Sequence, residues 1–156
     1  MPVSKLKKYL DQNQAAYLVL KHPPAYTAEE TALSAYLPGR DVAKTVIARM
    51  DDTIVMVVIP ASHKIDFDVL RDITGARNIG LVAEAELENL FPDCQIGAMP
   101  PFGNLYFLNV YIDKSLTEQD VIIFNAGNHR ELIEMRYEDF QRLVCPHVIN
   151  FTAEIF

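Results

Sequence analysis

The chain has 156 residues, half of them hydrophobic and 22% charged, with a formal net charge of −7. That balance suits one globular domain and excludes a disordered or fibrous chain. The negative charge excludes broad, sequence-independent nucleic-acid binding, which depends on neutralising many phosphates; a local contact with the end of an RNA through a few basic side chains stays open.

Near the N-terminus Lys5, Lys7 and Lys8 are followed by polar Asp11, Gln12, Asn13 and Gln14, where a signal peptide would be apolar. Within that stretch, Leu6 and Leu10 at i, i+4 predict a short helix over Lys5–Leu10. Ala15–Lys21 reads as a strand ended by His22-Pro23-Pro24. Thr27 and Glu30 form a capping box for a helix that stops near Pro38-Gly39. Val42–Met50 and Thr53–Ile59 are β-branched runs separated by Asp51-Asp52, a predicted hairpin. Ile54–Ile59 is apolar at every position, so both faces of that strand are expected to be buried. It is the longest aliphatic run and far too short to span a bilayer.

Asp66–Ile73 and Glu84–Leu90 predict short helices, followed by a Pro- and Gly-containing loop over Phe91–Asn104. Leu105–Ile112, Val121–Phe124 and Leu132–Arg136 read as strands, Tyr137–Val144 as a helix with an acidic first turn, and Val148–Phe151 as a last strand. Strands outnumber helices and several neighbours are joined by short turns. The expected fold is α+β, a compact single domain with a mainly antiparallel or mixed β-sheet and surrounding short helices. No GxGxxG, Walker-type loop or regular βαβ alternation is present, which excludes a Rossmann-type nucleotide site.

Three features could carry chemistry. Lys44 shares a strand face with Val42, Val46, Ala48 and Met50; its head must reach water or meet an anion. Gln95–Gly103 contains two glycines around Pro100-Pro101. It is either a stiff connector or a loop that presents peptide N–H groups to a developing oxyanion. His129 lies in the turn-rich segment Asn125–His129, as a surface histidine or as one that binds a hydroxyl or moves a proton. His22 precedes two prolines and could border a pocket mouth. The histidines at 22, 63, 129 and 147 show no HxH or HExxH spacing, and Cys94 and Cys145 no zinc spacing. No metal or other cofactor is expected, and the cysteines are expected to be reduced, as in a cytoplasmic protein. With no GxSxG elbow and no cysteine-nucleophile motif, a hydrolase built on this chain would use water as its nucleophile.

Taken together, Ala43-Lys44-Thr45-Val46-Ile47, the Gly-x-x-x-Pro loop at Gly97–Pro101, Tyr111-Ile112-Asp113 and Ala126-Gly127 with His129 resemble the YbaK and prolyl-tRNA-synthetase-associated editing-domain family. The resemblance runs over nearly the whole chain, with the motifs in the family's order. It implies one editing domain over residues 1–156 that hydrolyses the ester of misacylated tRNA in trans, with tRNA for proline carrying alanine or another small amino acid as expected substrate. By the resemblance, Lys44, Gly97 and His129 are the catalytic positions, and Thr45, Ala98, Met99, Pro100, Pro101 and Asp113 contact substrate. Thr45 stands where some members carry asparagine. The implied partners are the acceptor end of misacylated tRNA and, transiently, an aminoacyl-tRNA synthetase; neither DNA nor membrane is implied. The alternative is a non-catalytic module of the same fold that binds an aminoacyl or nucleotide ligand.

Overall fold

The hairpin at the centre of the chain forms where the sequence predicts it. Strands β2 (Val42–Met50) and β3 (Thr53–Pro60) pair antiparallel from Ala43↔Pro60 to Met50↔Thr53, and Asp51 takes a positive φ in the turn. The structure, a computed structural model, describes residues 3–23 and 42–154. The helix expected from Thr27 to Pro38 lies outside the described residues.

Around the hairpin the sheet is mixed. Its order is β1 (Tyr17–Lys21), β8 (Glu131–Arg136), β7 (Val121–Asn125), β2, β3, β6 (Val110–Asp113) and β9 (His147–Ile149), with β5 (Ile79–Leu81) joined to β2. The pairs β2–β7, β3–β6 and β6–β9 are parallel; β1–β8, β7–β8, β2–β3 and β2–β5 are antiparallel. A separate two-stranded ribbon joins β4 (His63–Ile65) to β10 (Thr152–Glu154).

Strand alternation divides the core. Ala43, Ile47, Met56, Val58, Ile122 and Phe124 face one side, where helices α1 (Ser4–Gln12) and α5 (Tyr137–Val144) supply Leu6, Leu10, Phe140 and Val144. On the other side Ala48, Met50, Val55, Val57 and Ile59 pack against Leu70 of α2 (Phe67–Thr74) and against Phe151. From Val55 to Pro60, β3 is buried at every position, as its unbroken apolar run requires when both faces are covered. Asp66 starts α2 as an N-cap, accepting the N–H groups of Asp68 and Val69, and Gly75 ends it in the left-handed conformation. Helix α3 spans Glu84–Leu90, and α4 the single turn Lys114–Thr117.

Two expectations fail for local reasons. The strand read over Leu105–Ile112 begins only at Val110. Gly103–Leu105 is a 3-10 turn, the Gly103 carbonyl accepts N–H bonds from both Tyr106 and Leu108 (2.9 Å each), and Phe107 has φ +60°. Turn hydrogen bonding outweighs the β preference of this apolar run. The strand read over Val148–Phe151 stops at Ile149, the end of β9, because the Phe151 N–H turns to the buried Asp113 carboxylate at 3.3 Å.

Candidate functional site

Strand β7 runs directly into the turn Ala126–Arg130, and this turn organises the site. Gly127 sits at φ +99°; a Cβ there would lie 2.5 Å from the Val3 side chain, so only glycine fits. The loop that follows Cys94 is fastened to this turn on both sides. Gln95 N–H donates to the Gly127 carbonyl at 2.8 Å, and Gly127 N–H donates to the Ala98 carbonyl at 3.0 Å. Downstream, Phe102 is fully buried among Phe124, Phe140 and Tyr9, with ring centroids 5.3–6.1 Å apart.

His129 completes the fastening. Its N–H donates to Gln95 Oε1 at 2.8 Å, and its Nε2 lies 2.6 Å from the Ile96 carbonyl oxygen. A carbonyl only accepts, so Nε2 carries the proton. That carbonyl belongs to the same planar trans peptide as the Gly97 N–H, so fixing one fixes the direction of the other. Gly97 is exposed, with φ +85°. Among the described residues its N–H meets only the Met99 sulfur, at 3.3 Å, a weak acceptor that a carbonyl oxygen or oxyanion would outcompete. The Ala98 N–H, by contrast, is spent on the Gln95 carbonyl at 3.0 Å.

The structure therefore joins the Gly97–Pro101 loop and His129 but changes their parts. The His129 ring is buried and its Nε2 is committed to the loop; it positions a peptide rather than offering that nitrogen to a substrate. Ala98, Met99, Pro100 and Pro101, read as substrate contacts, are all buried, and Met99 belongs to the main core. Their apolar side chains anchor the loop, while Gly97 is exposed.

Lys44 lies at a parting in the sheet. Strand β7 accompanies β2 only at Val42↔Ile123 and Ala43↔Phe124, and β5 joins it only from Ala48 to Met50. Lys44 follows at once on Ala43, half-buried, alongside the end of β7. By alternation it shares the face of Val42, Ile123 and Leu132, a small apolar patch that Ala61 and Leu20 complete. Thr45 points to the opposite face, with Ala43 and Ile47, and is half-buried. Met99 also packs on that opposite face, while Gly97 is exposed.

The patch beside Lys44 carries polar groups that sequence reasoning passed over. Asn125 pairs with Leu132 and so shares its face, and His22 continues β1 two residues beyond Leu20, its N–H on the Arg130 carbonyl at 2.9 Å. Ser62 follows Ala61, whose N–H donates to Val42 O at 2.7 Å. Asn125 Oδ1, His22 Nε2 and Ser62 Oγ are all buried without a hydrogen-bond partner among the described residues. Leaving such an atom unpaired costs about 1–3 kcal/mol, a cost that a polar ligand seated on the patch would remove. The hint in the sequence was His22 before two prolines; Asn125 and Ser62 carry no local signal.

Asp113 stands elsewhere. It ends β6, two strands away from β2, and its carboxylate caps α4 through the Ser115 N–H (3.1 Å) and hydroxyl while accepting the Phe151 N–H. His63 Nδ1 is 4.0 Å from it and 2.7 Å from Thr152 Oγ1. These bonds commit the Asp113 carboxylate to capping α4 and holding Phe151. A cleft of about 670 Å³ opens at the far end of β7, lined by Thr117, Gln119, Arg136, Tyr137 and Arg142 among others. Its arginines are paired with Glu138 and Asp139, and no residue of the Gly97–Pro101 loop lines it. Both cysteines are free thiols, and burial pushes Cys94 up to about 11, so it is a poor nucleophile. Among the described residues no three His, Cys, Asp or Glu side chains form a metal site, and no helix is long and apolar enough to cross a membrane.

Comparison with known proteins agrees with this architecture. A crystal structure proposed to be a trans-editing enzyme for prolyl tRNA synthetase superposes with a TM-score of 0.82 over 97% of this chain and 96% of its own, at 17% identity, a likeness of fold. The multifunctional Ser/Thr-tRNA deacylase ProXp-y of Escherichia coli K12 is 31% identical over 98 residues, 62% of this chain; the match spans 58% of that relative's length. The prolyl-tRNA editing protein ProX of Acetoanaerobium sticklandii is 25% identical over 150 residues, 92% of this chain and 91% of its own. The family model of the aminoacyl-tRNA editing domain matches residues 22–143, and the chain belongs to that family.

Proposed function

We propose that this chain is a hydrolase that removes wrongly attached small amino acids from tRNA in trans, with water as the nucleophile and tRNA for proline carrying alanine as the leading substrate. The observation that carries the reading is the pinned Ile96–Gly97 peptide, whose N–H meets a thioether. An aminoacyl ester is already activated, so no covalent nucleophile is needed. The ester oxygen would displace the Met99 sulfur from Gly97 N–H, and that bond would strengthen as the oxygen becomes an oxyanion. Lys44 would meet a phosphate as a point charge. Asn125, His22 and Ser62 would take up the polar groups of the terminal nucleotide. The relatives' names, a Ser/Thr-tRNA deacylase and a prolyl-tRNA editing protein, support the ester class. Such a role belongs to the cytoplasm, next to the synthetases that make the errors.

The test is single-turnover hydrolysis of tRNAs carrying alanine, cysteine, serine or threonine. Lys44→Ala should lose about tenfold or more, the worth of one charge-assisted hydrogen bond. Gly97→Val should lose up to about 10²–10³-fold, the cost of an oxyanion donor. Tight binding of every charged tRNA with no turnover would move the chain to the non-catalytic alternative.

A further inference from the structure

One surface feature has no part in this site. Phe107 is 98% exposed and holds φ +60°, a conformation that favours glycine and is a genuine outlier for a bulky residue. Its turn is nevertheless fixed. The Gly103 carbonyl accepts the N–H groups of Tyr106 and Leu108, and a Cβ on Gly103 would lie 2.6 Å from both the Leu108 oxygen and the Val110 side chain. The chain thus presents an aromatic ring to water on a fixed turn, at a cost in both strain and apolar exposure.

Helix α1 supplies positive charge beside it. Lys5 Nζ lies 4.6 Å over the Tyr106 ring and 3.5 Å from the Leu105 carbonyl. Lys8, three residues on, shares the face of Lys5 and is exposed. Lys7 is turned aside to Asp11 at 3.0 Å. Residues 4–12 hold three lysines and one aspartate, a local charge of +2 in a chain of net −7. The helix also begins at the site: Val3 N–H donates to the Ala126 carbonyl at 2.9 Å, and Val3 packs on Gly127. At about 1.5 Å per residue, Lys8 lies roughly 7 Å farther along the axis.

We infer that Lys5, Lys8 and Phe107 form a docking surface for the single-stranded RNA segment leading into the site, with phosphates on the two ammonium groups and a base stacked on the Phe107 ring. The inference rests on the deacylase reading above for the identity of the strand. It follows from the pairing of cations with an aromatic platform, the combination that holds single strands without reading sequence. An acidic protein that must meet a polyanion needs its positive charge concentrated there.

The experiment compares wild type, Phe107→Gly and Lys8→Ala on two esters: alanyl-tRNA, and alanyl-adenosine, which lacks the upstream nucleotides. Each variant should lose roughly tenfold more kcat/KM on the tRNA than on the short ester. Phe107→Gly relieves the positive φ and so should keep or raise Tm, which separates lost docking from lost folding. Fluorescence anisotropy with an uncharged RNA hairpin bearing a single-stranded 3′ end reads docking without catalysis. Lys8→Ala should flatten its salt dependence by about 0.7 in log–log slope. Equal losses on both esters, or hairpin binding by Phe107→Gly equal to wild type, would overturn the docking surface. If wild type hydrolyses neither ester, the deacylase reading fails, and the hairpin measurement alone decides the docking.

Discussion

His129→Ala tests the arrangement most directly. The change removes the 2.6 Å bond from Nε2 to the Ile96 carbonyl while leaving the backbone bond to Gln95 in place. A carbonyl that loses its partner near the protein interior costs about 1–3 kcal/mol, and in a domain of this size each kcal/mol lowers Tm by about 2–4 °C. The larger effect falls on rate. With the Ile96–Gly97 peptide released, its N–H no longer points where the oxyanion forms, and the loss should approach the roughly 10²-fold of a missing oxyanion donor. His129→Gln keeps an N–H that can reach the carbonyl and should recover part of that rate. The assay is single-turnover deacylation of alanyl-tRNA between pH 5.5 and 8.5. A positioning histidine predicts that His129→Ala lowers the rate by the same factor at every pH. Loss of a wild-type rising limb, with His129→Gln no better than His129→Ala, would make His129 a general base and refute the pinned-peptide account.

Three further outcomes follow from the packing. Gly127→Ala places a methyl 2.5 Å from Val3 on a φ of +99° and should destabilise by roughly 2 kcal/mol or more, read as a Tm drop, while loosening the loop. Asp113→Ala should lower stability by roughly 1–3 kcal/mol in urea titration through loss of its cap and its bond to Phe151, yet leave the KM for charged tRNA unchanged; a raised KM would return it to the site. In the native protein at pH 8 iodoacetamide should modify exposed Cys145 well before Cys94, as followed by mass spectrometry, because burial holds Cys94 up at about 11. The sign for stability follows: with the folded value raised, the Cys94 contribution is whole below the ordinary value of 9 and is lost as pH climbs from 9 towards 11.

The sequence alone determined elements whose instructions are local. The hairpin across Asp51-Asp52, α3 at Glu84–Leu90 and α5 at Tyr137–Val144 were readable because periodicity, turn residues and acidic first turns act within a few residues. Lys44, Gly97 and His129 were readable as candidates because a lysine on an apolar strand, a glycine shortly before two prolines and a histidine in a turn are unusual where they stand. Only the tertiary structure decided what each meets. It turned His129 into a strut, because its Nε2 meets a carbonyl 33 residues away in the chain. It buried Ala98, Met99, Pro100 and Pro101 and gave Asp113 to α4 and Phe151. It set Asn125 on the face of Leu132 and His22 two residues beyond Leu20, at one patch from two separate segments. A side chain's type fixes which bonds it can make, but which partner it meets depends on long-range strand pairing, and no local pattern in the sequence carries that information.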